Sequence, residues 1–225
     1  MIKSKLGFIL YSLALILIST LISVYCVQYF TKASVRELTN EQPDLIKFED
    51  NRLTLSPAKD TDSVIEIFSY ECHFCAVHEK DIQALPSMLP AGKRLIQIHM
   101  SRPGTKFSTT DTLFATLTVM GVEKNYREKI YEAVLKEKID FADERVRDTW
   151  LQDNGINVEA FHKVSGSAET AELLKYMRDL TGFYKIMATP TFIINKKWVA
   201  LQDRPYPEFN QQILSLVEKD RPLEK

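Results

Sequence analysis

The chain has 225 residues, a formal net charge of −1 at pH 7 and an apolar fraction of 45%. With seven glycines and nine prolines, this composition is typical of a globular protein and excludes a disordered or low-complexity chain. The near-neutral charge excludes the basic footprint of a nucleic-acid-binding protein. About 190 residues follow an apolar N-terminal stretch, which is enough for one domain with one core.

The N-terminal stretch predicts a membrane anchor. Leu6 to Phe30 carries no charged side chain and is long enough to span a bilayer as a helix. The alternative is a cleaved signal peptide, whose shorter apolar region ends in small residues; here the stretch ends in bulky aromatic residues. We therefore interpret residues 1–5 as a cytoplasmic tail, 6–30 as a transmembrane signal-anchor and 31–45 as a polar stalk. The domain that follows is expected outside the cytoplasm, where disulfides persist.

Alternating apolar residues predict the first strands of the domain. Ile46 to Phe48 and Leu53 to Leu55 are predicted to pair as a small hairpin. Ser63 to Ser69 is predicted to be a central strand, His73 to Leu85 a helix, and Arg94 to Met100 a second buried strand. A strand, a helix and a strand in this order form a βαβ unit, so the two strands should be parallel.

The rest of the chain predicts a helical block followed by a hairpin. From Ser108 to Leu180, apolar residues recur at the spacing of helices that bury one face. Thr191 to Ile194 and Trp198 to Leu201 flank a turn and are predicted to pair. Glu208 to Lys219 is predicted to be a final helix. The predicted order is therefore β-α-β, a helical block, and β-β-α.

Cys72 and Cys75 form a C-x-x-C pair where the predicted central strand meets its helix. At a helix N-terminus, unpaired N–H groups and the helix dipole favour a thiolate, so the pKa of Cys72 should fall. A protonated His73 would strengthen this effect, whereas the charge of Glu71 would oppose it. Cys75, one turn into the helix, is predicted to be the more buried thiol.

A C-x-x-C pair alone leaves two other interpretations open. A zinc site needs four ligands, and His78 is a candidate third ligand with His73 nearby, but the sequence has no second C-x-x-C. A purely structural disulfide has the same spacing. We favour redox chemistry, with no metal and no cofactor other than the redox-active pair Cys72 and Cys75.

Two further features are ambiguous from local sequence. Thr189-Pro190 directly precedes a predicted strand, and sequence physics alone favours a trans peptide bond there. Glu66 lies among apolar residues of the central strand, so it is either solvated or buried with a perturbed pKa. Alternation along the strand leaves both possibilities open.

Taken together, these features resemble the DsbA-like family of bacterial periplasmic thiol:disulfide oxidoreductases. The resemblance covers about residues 60–219 and depends on the order and spacing of Glu66, Cys72-x-x-Cys75 and Thr189-Pro190 around the helical block. It implies an α/β fold with a thioredoxin-like core and an inserted helical domain. The core would comprise residues 46–107 and 186–220, and the insertion residues 108–185.

The resemblance also implies roles for individual residues. Cys72 would be the nucleophile and Cys75 the resolving cysteine. Pro190 would be a cis-proline facing them, Thr189 a backbone contact for the substrate, and Glu66 a buried acid that assists proton transfer.

Two departures from the family pattern concern the direction of the reaction. His73-Phe74 replaces the Pro-His dipeptide usual in the best-known oxidants, which leaves the redox potential open. Thr189 before the proline occurs in isomerase-type relatives and in some oxidases, which leaves the direction of electron flow open. Residues 31–60 are too few for the dimerisation domain of dimeric isomerases, which favours an oxidase.

The resemblance finally implies partners and a location. The expected partners are exported cysteine-containing proteins and a membrane redox partner, with no nucleic acid. The expected location is the bacterial inner membrane, with a single span and the catalytic domain in the periplasm. The alternatives are a tethered reductase or isomerase, or a metal-delivery module that uses Cys72, Cys75 and His78.

Overall fold

The computed structural model describes residues 18–24, 44–59 and 63–223. The chain divides into two units, residues 1–42 and residues 43–225. In the first unit, the described residues are helical and exposed. Among the described residues, no helix is both long and apolar enough to cross a bilayer. Most of the predicted tail, anchor and stalk lies outside the described residues, so anchoring stays a prediction.

A five-stranded mixed sheet organises the second unit. Its strands are β1 (Leu45–Lys47), β2 (Ser63–Phe68), β3 (Arg94–His99), β4 (Thr191–Ile194) and β5 (Trp198–Leu201). Across the sheet their order is β1-β5-β4-β2-β3, with β2 and β3 parallel and all other neighbours antiparallel. The predicted βαβ unit and the predicted hairpin of β4 with β5 are confirmed.

Helices flank this sheet and fill the long segment between β3 and β4. In chain order they are α1 (Asp50–Leu53), α2 (His73–Ala84), α3 (Asp111–Val119), α4 (Glu123–Glu132), α5 (Glu144–Asp153), α6 (Val158–Ser165), α7 (Ala168–Phe183) and α8 (Glu208–Lys219). Helices α3 to α7 confirm the predicted helical block, whereas its limits as a domain stay a prediction.

Short polar side chains explain where three helices of the block begin. Asp143, Asn157 and Ser167 precede α5, α6 and α7, and each accepts hydrogen bonds from backbone N–H groups of the first turn. These N–H groups have no partner within the helix, so each cap contributes about 1 kcal/mol. The helical block is therefore specified locally as well as by its apolar faces.

The predicted hairpin near the start of the domain is wrong. Leu45–Lys47 instead pairs antiparallel with β5 at the edge of the sheet, and Asp50–Leu53 forms one helical turn. A two-stranded hairpin is marginal in water by itself, whereas adding a strand to an existing sheet gains a hydrophobic face. Phe48 follows β1 and is buried against the rings of Phe183 and Tyr184, which holds this segment on the domain.

Side chains of β2 enter two apolar layers. Ile65 and Ile67 are buried in the layer that includes the helical block, whereas Val64 is buried with residues of α8 in the other layer. The predicted inward residues of α8 are all buried, namely Phe209, Ile213, Leu216 and Val217. Because both faces of the strand are covered, Glu66 is fully buried on the face of Val64.

Candidate active site

The thiol pair lies where β2 leads into α2. Cys72 is the N-cap of α2, and its Sγ accepts a hydrogen bond from the backbone N–H of Cys75 at 3.1 Å. The Cys72 thiol also donates to the carbonyl oxygen of Thr189 at 3.2 Å. The thiols are not joined in a disulfide. Cys72 keeps 4% of its surface exposed and Cys75 none, which confirms that Cys75 is the more buried of the two.

The two thiols differ in acidity. A hydrogen bond with the Cys75 thiol, together with the backbone N–H groups of Phe74 and Cys75, lowers the pKa of Cys72 from 9.0 to about 7 against the opposing effect of burial. Burial raises the pKa of Cys75 well above 9.0. Because a thiolate is the nucleophile in disulfide exchange, the site presents one reactive and one shielded sulfur.

This asymmetry predicts a thiol titration with a midpoint at about pH 7 for Cys72. The thiolate absorbs in the ultraviolet, so absorbance should rise through this midpoint in the reduced protein. A Cys26→Ser background restricts the signal to the pair. Cys75→Ala removes the thiol that contributes most to the shift, so the midpoint should then move to higher pH. A midpoint near the ordinary value of 9.0 in the parent protein would contradict the assignment.

The peptide bond between Thr189 and Pro190 is cis, as the family resemblance implies. It directly precedes β4 and places the Thr189 carbonyl against the Cys72 thiol. The hydroxyl oxygen of Thr189 is buried and has no hydrogen-bond partner among the described residues. Thr189 is therefore beside the reactive sulfur, and its contact with a substrate stays a prediction.

Glu66 is buried, and no cation in the described part of the chain contacts it directly. Its Oε2 accepts a hydrogen bond from the side-chain amide of Gln97 at 2.8 Å, whereas Oε1 has no partner among the described residues. Burial, followed by the charge of Glu79, raises the pKa of Glu66 from 4.5 to about 8. The carboxyl group thus holds a proton near neutral pH, and it can both give and accept one.

A groove of about 500 Å³ opens beside the thiols. Its lining is largely apolar, with a few polar groups: Phe74, His78, Ala188, Thr189, Pro190, Leu201, Gln202, Arg204 and Pro205. The Phe74 ring is 64% exposed at the edge of this groove. His73 is also exposed. The dipeptide between the cysteines therefore faces outward, where it can contact a bound chain.

The alternative metal site is not assembled. Among the described residues, the only three-residue group of converging potential ligands is Glu144, Asp148 and His162, on the helical block. His78 instead lies with Nδ1 3.1 Å from a carboxylate oxygen of Asp81. No observation of the described site therefore favours metal binding by the thiol pair.

The carboxylate of Glu71, next to Cys72, has several polar partners. Its carboxylate accepts hydrogen bonds from the hydroxyl groups of Ser69, Thr109 and Thr110. It also lies 3.7 Å from Nε2 of the buried His99. These contacts join the turn before Cys72 to the start of the helical block.

Sequence reasoning missed the polar residues around Glu66. Gln97 stands beside it in the parallel register of β2 and β3, Glu79 lies on α2, and Arg127 on α4 bonds to Glu79 at 3.2 Å. A polar residue in an apolar strand was the available signal for Gln97. The signal for Arg127 was weaker, because a basic residue in a helix is normally solvated.

Comparison with known proteins gives a consistent result. A model of the DSBA-like thioredoxin domain family matches residues 19–214. The thiol:disulfide interchange protein DsbA of Pseudomonas syringae pv. tomato is 27% identical over 164 residues, which cover 72% of this chain and 76% of the relative. DsbA of Azotobacter vinelandii is 28% identical over 160 residues, covering 70% and 74%.

Solved structures share the fold. The crystal structure of Pseudomonas aeruginosa DsbA superposes with a TM-score of 0.67 at 22% identity, covering 79% of this chain and 92% of that chain. The oxidoreductase DsbA of Xylella fastidiosa gives a TM-score of 0.65 at 18% identity, covering 79% and 95%. These similarities confirm the predicted thioredoxin-like architecture with its helical block.

Proposed function

We propose that this chain, which belongs to the DSBA-like thioredoxin domain family and is a thiol:disulfide oxidoreductase, introduces disulfides into exported proteins through Cys72 and Cys75. The observation that carries the proposal is the difference between the two thiols at the start of α2. Cys72 has a lowered pKa and contacts Thr189, which lines the groove, whereas Cys75 is fully buried with a raised pKa.

The reaction starts from the disulfide form of the pair. A substrate thiolate attacks Sγ of Cys72, which breaks the Cys72–Cys75 bond and forms a mixed disulfide, while Cys75 leaves as a thiolate and takes up a proton. A second substrate thiolate then attacks the substrate sulfur, and Cys72 leaves as a thiolate. The substrate loses two electrons, and the enzyme pair gains them.

Glu66 is proposed to supply the proton that the leaving Cys75 thiolate needs. A thiolate in this buried position is unfavourable, as the raised pKa of Cys75 indicates. A carboxyl group with a pKa of about 8 is protonated at neutral pH, and a general acid works best when its pKa is near the working pH. Glu66 therefore has the acidity for this step.

Thr189, Pro190, His73 and Phe74 are proposed to receive the substrate. The Thr189 carbonyl lies against Cys72, and the adjoining groove has the size and apolar lining suited to a peptide segment. Cysteine-containing exported proteins are the proposed substrates. An extended chain beside Pro190 would bring its cysteine to the reactive sulfur.

The lowered pKa of Cys72 acts in favour of the proposed oxidising direction. Stabilising its thiolate stabilises the reduced enzyme, which makes the disulfide form a stronger oxidant. The enzyme then has to be reoxidised, and we assign this step to a disulfide-bearing membrane redox partner. The uncharged stretch Leu6 to Phe30 supports a single-pass anchor in the bacterial inner membrane, which would hold the enzyme near that partner on the periplasmic side.

The equilibrium of the pair with glutathione tests the direction. An oxidase should equilibrate at a reduction potential above roughly −180 mV, whereas a thioredoxin-like reductase has a reduction potential of about −270 mV. The oxidised full-length protein should also transfer its disulfide to a reduced peptide with two cysteines, and Cys72→Ser should abolish this transfer. A low potential, or a pair found mainly reduced in intact cells, would favour the tethered reductase or isomerase instead.

A further inference from the structure

A buried cation from the helical block contacts the helix of the thiol pair. Arg127 on α4 donates from Nε and Nη2 to the two carboxylate oxygens of Glu123, at 2.8 and 2.7 Å. Its Nη1 donates to Oε1 of Glu79 on α2 at 3.2 Å. The guanidinium also lies over the Phe68 ring, 4.8 Å from its centroid, and only 6% of the side chain is exposed. Arg127 therefore has one defined position.

Three hydrogen bonds connect this cation to Glu66, and the first is that of Arg127 to Glu79. The side-chain amide nitrogen of Gln97 lies 2.8 Å from Oε2 of Glu66 and 3.4 Å from Oε1 of Glu79. Gln83 sets the orientation of that amide, because its own nitrogen donates to the oxygen of Gln97 at 2.9 Å and to Glu79 at 2.8 Å. The path from Arg127 through Glu79 and Gln97 to Glu66 is continuous.

This region has one positive charge and three carboxyl groups. Arg127 is bidentate on Glu123 and contacts Glu79, so its single positive charge is shared between two carboxylates. Glu66 has no direct contact with it. Three carboxyl groups around one cation cannot all be ionised in a buried place without cost. Glu66, the fully buried member, is the one that keeps a proton.

We propose that Arg127 is a positioning residue for disulfide exchange: through Glu79 and Gln97 it holds the Glu66 carboxyl group in the orientation that Cys75 requires, and its positive charge lets that group release its proton more readily. This inference rests on the proposed function. Titratable and charged groups of several elements face Glu66. They are Cys72, which caps α2, Cys75 and Glu79 on α2, Arg127 and Tyr131 on α4, and Tyr206 before α8.

Opposite charge changes on this path should move the pKa of Glu66 in opposite directions. Glu79→Gln removes a negative charge near Glu66 and should lower its pKa by about one unit. Arg127→Met removes the positive charge and should raise the pKa. The measurement is the pH titration of the Glu66 side-chain carbon signal by NMR in the reduced, full-length, glutamate-labelled protein, with the signal assigned by its loss in Glu66→Gln.

A matched control separates this effect from a general loss of charge. Lys124 lies on the same helix as Arg127 and is exposed, so Lys124→Met should leave the pKa of Glu66 unchanged. Arg127→Lys keeps the charge and should restore most of the parent value. If Arg127→Met does not fold, Glu79→Gln and Arg127→Lys still decide the outcome, because the first should lower the pKa and the second should not.

The pH profile of glutathione-driven oxidation gives the second readout. The part of this profile that depends on Glu66 should shift in the same direction as the pKa of Glu66. In Glu79→Gln it should therefore shift to lower pH. Unchanged titrations in both variants, or shifts of the same sign, would overturn the role of Arg127 even if exchange were intact. Loss of exchange in the parent protein, with the carboxyl shifts still present, would instead refute the proposed function.

Discussion

Cys75→Ser should turn the protein from a catalyst into a trap. The Cys72 thiolate can still attack a disulfide and form a mixed disulfide, but no neighbouring thiol is left to break it. The pair can then no longer form the disulfide that the proposed reaction transfers to substrates, so net turnover should be lost.

The trapped complexes can be seen directly. After cells that make Cys75→Ser are quenched with acid and alkylated, mixed disulfides should run as high-mass species that disappear on reduction. In a Cys26→Ser background, Cys72→Ser is the matched control and should give none, because the remaining thiol, Cys75, is fully buried and has a raised pKa. Equal amounts of complex in the two variants would show that Cys72 is not the nucleophile.

Glu66→Gln should stabilise the reduced protein increasingly as the pH rises. The pKa of Glu66 is about 8 in the folded chain and 4.5 ordinarily, so between these values the folded state holds more protons than the unfolded state. The contribution of Glu66 to stability is thus full below about pH 4.5 and declines as the pH rises through 8. At about 1.4 kcal/mol per pKa unit, the total change is roughly 5 kcal/mol.

Denaturant unfolding of the two proteins between about pH 4 and 9, with a reducing agent present, measures this change. The difference in unfolding free energy should grow with pH in favour of Glu66→Gln. Glu128→Gln is the control, because Glu128 is exposed on α4 and its loss should shift the curve little at any pH. Parallel stability curves for the parent and Glu66→Gln would contradict the assigned acidity.

Local sequence predicted the parts of the site that are local in structure. The strand β2, the helix start at Cys72 and the hairpin after Pro190 follow from alternation, capping and turn residues, which act over a few positions. The burial of Glu66 is different, because alternation assigns a side chain to a face without saying what covers that face. Only the packing of α2 and α8 makes this carboxyl group a buried acid.

Long-range pairing explains the wrong prediction and the missed residue. Leu45–Lys47 has an alternating pattern that fits several partners, and its actual partner β5 lies about 150 residues further along the chain. Arg127 belongs to a helix in which most charged residues are exposed. Its bidentate partner Glu123 lies one turn earlier on the same helix, but Glu79, which it also contacts, is 48 positions away. No periodicity within α4 contains that information.

The sulfur of Cys72 both takes part in the redox-active pair and caps helix α2. In the thiol form, Sγ accepts the N–H of Cys75 and closes the first turn of α2. A sulfur in a disulfide is a weaker acceptor than a thiolate, so oxidation withdraws much of a cap that contributes about 0.5–2 kcal/mol. The oxidised protein therefore lacks much of this contribution, and the reduced protein gains it. Each disulfide handed to a substrate restores the cap, and this gain favours release of the bond.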